Sequence, residues 1–464
     1  MNQGKIVIKS GIWYTISNFF LRGIAFLTTP IFTRLLSQKE FGTFSNYSSW
    51  LSILIIVVSL NLEATLISAR FEFEKRLDSY IKSILTLSTL SVFVWCILIN
   101  LFMKPISSLV GLNAVYINSM LVYLLFLPAV NLFQTKEQFF YKYKISVLLS
   151  FLLSVGASVM SVVLVITMEN SLDGRILGYV LPTILLGMVL YILLWKKGKK
   201  IDFSDWKYAL KICIPYIPHL LSMTILGSTD RIMITKICGE SDTALYSVAY
   251  NVAMIITMLL TALNGAFSPW LGEKLVKKEY ADVRKTSKIY ISLFAGMTIG
   301  IMLLAPEVLW IMGGRQYMSA QDVMIPVILG CLCQFLYTLF VNVEQFSKKT
   351  LGMAIASASA ALLNYGLNLW LIPRFGYIAA AYTTLIGYLW LLLIHMILVR
   401  RMKMHQVYSY RFVFGVLMSM CLVALCIGSL YQKIWIRYAV VGVYVMFLTI
   451  IGWKNRHQLF KLIK

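Results

Sequence analysis

"TRLLSQKEFGTFS", residues 33–45, has a counterpart 202 positions later in "TKICGESDTALYS", residues 235–247. Both begin with Thr and a basic residue, carry an acid at the eighth position, and close on an aromatic residue followed by Ser. Each ends one long apolar run and opens the next. A segment that recurs in the same setting marks an internal duplication, and the apolar runs between the copies give the size of the repeated unit.

Those runs fall at 12–33, 42–62, 81–103, 114–135, 145–168, 175–195, 212–235, 243–269, 289–312, 323–346, 351–372, 377–399, 411–431 and 436–453. Each has about the 20 residues that a helix needs to cross a bilayer. Only 13% of the 464 residues are charged and 59% are hydrophobic, against about 25% charged in soluble domains. No run alternates with period two, which excludes a transmembrane barrel. The sequence predicts an all-α polytopic membrane protein of about fourteen transmembrane helices.

The first piece joins helices 1 and 2, the second helices 7 and 8, so the repeat spans six helices. Six crossings return the chain to its starting side. The copies are therefore parallel, related by an axis along the membrane normal. Two six-helix lobes are expected, 1–200 and 201–402, with residues 403–464 as an added helix pair. A cleft between such lobes is where an alternating-access carrier holds its substrate.

The formal charge is +23, from 42 Lys and Arg against 19 Asp and Glu. Counting by connection explains it. One alternate set of loops and both termini hold 31 of the basic residues, the other set holds nine, and two, Arg22 and Arg231, lie within spans. This bias puts both termini in the cytoplasm and removes the need for a nucleic-acid partner. The basic start "MNQGKIVIKSG" precedes a full-length span with no small-residue cleavage site, which reads as a retained first helix. Two inside connections, "ARFEFEKRLDSYIKS" and "GEKLVKKEYADVRKTSK", read as amphipathic helices among anionic headgroups.

Chemistry-bearing patterns are sparse. The pair Cys331-x-Cys333 has no second pair and no nearby His, so no metal site is expected. There is no phosphate-binding glycine loop and no His/Glu helix with metal spacing. No cofactor and no enzymatic activity are expected.

The polar residues inside the spans are the candidates, because intramembrane charge is costly and faces a cavity or a partner. Arg22 lies mid-helix and shares a stripe with Thr15, Asn18 and Thr29, which would line a wet cleft or serve a structural ion pair. Asp230 and Arg231 are neighbours toward the outer end of helix 7. Their side chains diverge, so one can face the cleft while the other ties to helix 8 or helix 1. His219 follows Pro215 and Pro218, which should loosen or kink helix 7; it is a candidate proton site or a satisfied core residue. Glu63 and Glu344, near inner helix ends, are candidates for cation coupling or for pairing with Arg70 or Lys348.

"TPIFTRLLSQKEFGTFS", "IPYIPHLLSMTILGSTDRIMI" and "GESDTALYSVAYNVAMI" together resemble the bacterial polysaccharide-unit exporters, the O-antigen and capsule-type oligosaccharide flippases. These fall within the multidrug/oligosaccharidyl-lipid/polysaccharide exporter superfamily. The resemblance implies a MATE-like fold in the bacterial cytoplasmic membrane and an undecaprenyl-diphosphate-linked oligosaccharide moved from inner to outer leaflet. It implies substrate contacts from Arg22, Asp230 and Arg231; the residues themselves add Asn18, on the stripe of Arg22, as a further contact, and Asp230, His219 or Glu63 as sites of cation coupling. Polysaccharide polymerase and assembly proteins are the partners it implies, alongside the lipid-linked oligosaccharide and membrane lipids. No later cavity cation of the family can be placed on helices 8 to 12, where Asn251, Asn264, Gln334, Asn342, Asn364 and Asn368 are neutral candidates for sugar. The alternatives are an ion-coupled exporter of drugs or metabolites on the same fold, and a flippase for a lipid-linked cell-wall precursor.

Overall fold

A computed structural model describes residues 23, 24, 26–140, 143–347 and 350–454. Arg22, Asn18 and Thr15 lie outside them. Among the described residues the chain is helical without strands. Helix α1 is described over residues 23, 24 and 26–35. It is followed by α2 (Gln38–Ser59), a short α3 (Leu66–Glu72), α4 (Leu77–Leu101), a short α5 (Met103–Val110), α6 (Ala114–Phe139), α7 (Tyr143–Thr167) and α8 (Ser171–Lys197). The remainder are α9 (Phe203–Ile237), α10 (Glu240–Val276), α11 (Tyr280–Gly313), α12 (Gln321–Phe346), α13 (Thr350–Phe375), α14 (Tyr377–Arg401), α15 (Tyr410–Leu430) and α16 (Ile434–Lys454). Among the described residues twelve helices are long and apolar enough to cross a membrane, and α16 contributes a shorter apolar stretch, Ile434–Phe447. The polytopic all-α class expected from the sequence is the fold found.

Helices α9, α10 and α11 are longer than their apolar runs, at 35, 37 and 34 residues. At 1.5 Å per residue each reaches about 50 Å, well beyond a hydrocarbon core of about 30 Å. The two amphipathic surface helices are not found. The first segment is divided among α3, a single 3-10 turn at Glu74–Arg76 and the start of α4. The second is split by a turn in which Lys278 takes φ +57, and its halves extend α10 and α11. Helix α9 runs unbroken through Pro215 and Pro218.

The chain divides into two compact units. The first holds the residues to Asn251 with Ala354–Thr383, the second Val252–Met353 with Thr384 to the end. In the first, Phe44, Tyr47 and Leu51 of α2 pack with Ile117, Leu121 and Leu124 of α6 and Ile176 and Val180 of α8. Helix α8 meets α7 through glycine. A Cβ on Gly174 would lie 2.5 Å from the Leu164 carbonyl oxygen, and one on Gly178 would lie 2.2 Å from Ser161 Cα. In lipid, where apolar surface gains little by leaving the solvent, such close backbone approach supplies the packing. In the second unit α12 is the central helix, with 83% of its spanning window buried. Phe335 stacks on Phe294 of α11 at 4.0 Å between ring centroids. Arg437 of α16 forms an ion pair with Glu307 of α11.

The two copies of the repeat each turn the chain into a helix. In the first, Ser37 caps α2: its Oγ accepts from Glu40 N–H at 3.2 Å, while its own N–H donates to Glu40 Oε2 at 2.8 Å. That is a capping box, which satisfies two backbone donors that the helix cannot. In the second, Gly239 makes the turn with φ +103, a conformation that favours glycine.

Candidate functional site

The turn at Gly239 folds α10 back on α9 and sets two adjacent rungs between them, each 16 residues apart in sequence. On one, Tyr246 Oη donates to Asp230 Oδ2 at 2.7 Å. On the next, Arg231 Nε donates to Ser247 Oγ at 3.2 Å. Tyr246 and Ser247 are the aromatic-Ser pair that closes the repeat.

The Asp230 rung continues into α13 and α14. Asn368 Nδ2 donates to Asp230 Oδ1 at 2.7 Å and lies 3.2 Å from Asn364 Oδ1. Asn364 and Asn368 are one helical turn apart and so share a face. Thr383 Oγ1 donates to Asn368 Oδ1. Asp230 is 2% exposed, and Tyr246, Asn364, Asn368 and Thr383 are fully buried. A carboxylate taken out of water needs its oxygens bonded, and the phenol and the amide each supply one donor. The donors facing it are a phenol hydroxyl and an amide N–H, and the oxygen of that amide is turned away to Thr383.

Arg231 is half-buried. Besides Ser247, it donates from Nη1 to Gly227 O at 3.2 Å, and its guanidinium carbon lies 4.8 Å from the Tyr250 ring centroid. Both members of the pair thus bond to α10, through neighbouring rungs. Thr29 of α1 is buried, and Asn251 Nδ2 of α10 reaches its Oγ1 at 3.5 Å. Arg22 and Asn18, on the same predicted stripe, lie outside the described residues.

The remaining candidates lie elsewhere. His219 is half-buried on α9, its ring 5.8 Å from that of Tyr216. It precedes Asp230 by 11 residues, about 16 Å along the helix, and the structure does not bring the two together. Glu63 sits in the 3-10 turn after α2, where Oε1 accepts from Asn131 Nδ2 of α6 at 3.0 Å. Arg70, its expected partner, instead donates to Phe139 O at 3.0 Å and stacks 4.2 Å over Phe71. Burial raises the Glu63 carboxyl above the usual range, and the Asn131 bond opposes this in part. Glu344 pairs with His395 of α14, so among the described residues its bonded partner is a histidine rather than a lysine.

Two of the neutral candidates, Asn364 and Asn368, are thus drawn into the shell of Asp230, and two more, Asn342 and Asn264, bond to each other at 2.7 Å in the second unit. Thr383 and His395 were not expected. Neither carries a pattern that marks it in an apolar helix. Tyr246 did carry one, through its place in the repeat.

A bundle of membrane helices, with a buried carboxylate beside a half-buried guanidinium, defines a polytopic membrane protein of the exporter class. The family model described as polysaccharide biosynthesis protein matches residues 7–275, more than half of the chain, and the chain belongs to that family. The MatE model matches residues 215–370. A protein of the Lsg locus of Haemophilus influenzae is 26% identical over 351 residues, covering 72% of this chain and 84% of that relative. Among solved structures, lipid II flippase MurJ in an inward closed conformation has a TM-score of 0.70 at 15% identity, covering 96% of this chain and 99% of that one. A multidrug resistance MATE family transporter in an inward-facing conformation has a TM-score of 0.60 at 14% identity, covering 84% and 95%. At these identities the likeness is one of fold, and the fold is that of the superfamily expected from the sequence.

Proposed function

We propose that the protein is a flippase that moves an undecaprenyl-diphosphate-linked oligosaccharide from the inner to the outer leaflet of the cytoplasmic membrane by alternating access. The two six-helix repeats are the moving lobes, and both termini are cytoplasmic. The observation that carries this reading is the pair of adjacent rungs on α9 and α10, which puts a buried carboxylate and an accessible guanidinium one residue apart.

The two groups suit two different charges. Arg22 and Arg231 cannot lose their protons and present planar forks to phosphate oxygens, so they hold the diphosphate, with Asn18 beside them on the stripe of Arg22. The lipid tail stays in the bilayer. An inside-negative potential favours outward movement of the anion by about 2.3 kcal/mol per charge per 100 mV. Asp230, with its phenol and amide donors, holds the coupling cation, a proton or a small hard ion. Ion release and substrate release are then linked through α10, which bonds to both residues. Polymerase and assembly proteins receive the exported unit.

The test is lipid-linked sugar on the outer leaflet, measured in cells that depend on this protein. Arg22→Ala and Arg231→Ala are expected to lose most transport, and Arg22→Lys to retain part of it. Asp230→Asn is expected to lose the dependence on pH or sodium. Full transport by Arg22→Ala at normal protein level overturns the reading.

The MatE match over residues 215–370 favours a second reading, an ion-coupled exporter of drugs or metabolites. That function calls for acids free in the cleft to hold cationic substrates, whereas the buried acid here, Asp230, is already bonded by Tyr246 and Asn368, and the charges that the inside/outside pattern leaves within spans, Arg22 and Arg231, are basic. Resistance to cationic drugs conferred by the protein, with no change in lipid-linked sugar, distinguishes it.

A further inference from the structure

Glu344 and His395 form a buried pair in the second unit that the transport reading does not use. Glu344 lies two residues before the end of α12 and His395 six before the end of α14. The Nδ1 of His395 is 2.8 Å from Glu344 Oε1, with the side chains 2% and 1% exposed. The ring of Tyr337 stacks on the imidazole at 5.7 Å and 18°, and Tyr388 stacks on Tyr337 at 6.2 Å and 17°. The second carboxylate oxygen, Oε2, is enclosed and has no hydrogen-bond partner among the described residues.

A carboxylate buried this deeply costs several kcal/mol unless it is paired or neutralised. Its partner is the side chain whose charge changes between about pH 5 and 8. One proton already lies between Nδ1 and Oε1. A second has two vacant positions, the other imidazole nitrogen and the unpartnered Oε2. A bare acceptor enclosed in a native structure asks for an explanation, and a proton taken up from water supplies one.

Tyr337 comes from α12, Tyr388 from α14, and Tyr408 from the turn after α14, where its hydroxyl donates to Leu339 O at 3.0 Å. Helix α10 approaches α12 through Asn264 on Asn342, helix α11 through Phe294 on Phe335, and α15 through Tyr410 on Phe340. The nearest charges along α14 are Arg400 and Arg401 in its last turn, about 8 Å on at 1.5 Å per residue.

We infer that Glu344 and His395 together are a proton-binding site, separate from Asp230. The added proton turns a neutral imidazole bonded to a carboxylate into an ion pair, which tightens α12 on α14; its loss to water loosens them. The site thus gives the second unit a proton-dependent contact of its own.

The test uses the full chain in lipid nanodiscs with isotope-labelled histidine, followed by nuclear magnetic resonance. The sequence has four histidines, and His395→Gln identifies the signal by its disappearance. The His395 signal is expected to shift as the pH is lowered and the pair takes up its second proton. Coupling to the carboxylate should move its midpoint by about one unit or more in Glu344→Gln. Asp230→Asn should leave the curve unchanged, which separates this site from the coupling site proposed above. A wild-type signal that does not move with pH overturns the inference without any variant, and so does a midpoint shared by wild type and Glu344→Gln.

Discussion

Gly42 on α2 lies against the carbonyl of Glu240 at the start of α10, so closely that a Cβ on Gly42 would sit 1.7 Å from that oxygen. The two residues belong to the two copies of the repeat, which therefore touch each other. Position 42 corresponds to Ala244 in the second copy, which carries its Cβ fully buried, so the repeat is not symmetric at this contact. Because the obstacle is backbone, no rotamer change can relieve it. Gly42→Ala should destabilise the protein by about 1–3 kcal/mol, the usual cost of overpacking, and Gly42→Val by more. Thermal unfolding of the purified protein checks this. An unchanged midpoint for Gly42→Val would mean that α2 and α10 do not approach so closely.

The bonds of Asp230 predict an order of stability. Asp230→Asn keeps the shape and one acceptor, whereas Asp230→Ala strands the Tyr246 hydroxyl and the Asn368 amide in a dry interior. Leaving a buried donor unsatisfied costs about 1–3 kcal/mol, so the Ala variant should be the less stable of the two by about that amount. Tyr246→Phe, which removes one donor, should fall between wild type and Asp230→Ala. Melting temperatures in one detergent provide the comparison, and an Ala variant as stable as the Asn variant contradicts the assigned bonds.

Arg175 offers a test of a different force. Its guanidinium carbon lies 3.6 Å from the Phe32 ring centroid and 4.1 Å from that of Phe44, joining α8 to α1 and α2. A planar cation stacks on aromatic faces in a way an ammonium does not, and a desolvated cation–π contact contributes about 2 kcal/mol. Arg175→Lys should therefore lose roughly half or more of what Arg175→Leu loses in thermal stability, although it keeps the charge. Full retention by the lysine variant would show that charge alone matters there.

The parts of this fold that were legible in the sequence are those governed by the solvent. A bilayer demands long apolar runs and sorts Lys and Arg by side, so the all-α polytopic class could be read directly, while the fourteen expected spans compare with twelve helices long and apolar enough to cross among the described residues. Arg22, Asp230 and Arg231 could be singled out for the same reason, since each is a charge where charge is costly. The partners of Asp230 could not, because Asn364, Asn368 and Thr383 are neutral residues more than 130 positions away, and nothing local distinguishes an amide that binds a carboxylate from one that binds sugar. His395 in "LLLIHMILV" is equally silent. The α7–α8 contact did leave a trace, since Gly174 and Gly178 form a G-x-x-x-G in an apolar helix. The end of α10 and start of α11 misled for a local reason: an amphipathic stretch looks the same whether it lies on a surface as one helix or extends two spans across a tight turn at Lys278.

Glu63 predicts a dependence of stability on pH. It lies outside the spanning helices, and burial raises its carboxyl above the ordinary value while Asn131 bonds it. A raised folded-state value means that the fold favours the neutral acid. The stabilisation is then fully present below the ordinary carboxyl range of about pH 4 and is lost as pH rises through the raised value. Glu63→Gln keeps a neutral group of the same size and cannot ionise. The variant should therefore match wild type at low pH and exceed it in melting temperature at neutral pH and above. Two parallel curves of melting temperature against pH would show that Glu63 does not titrate between them.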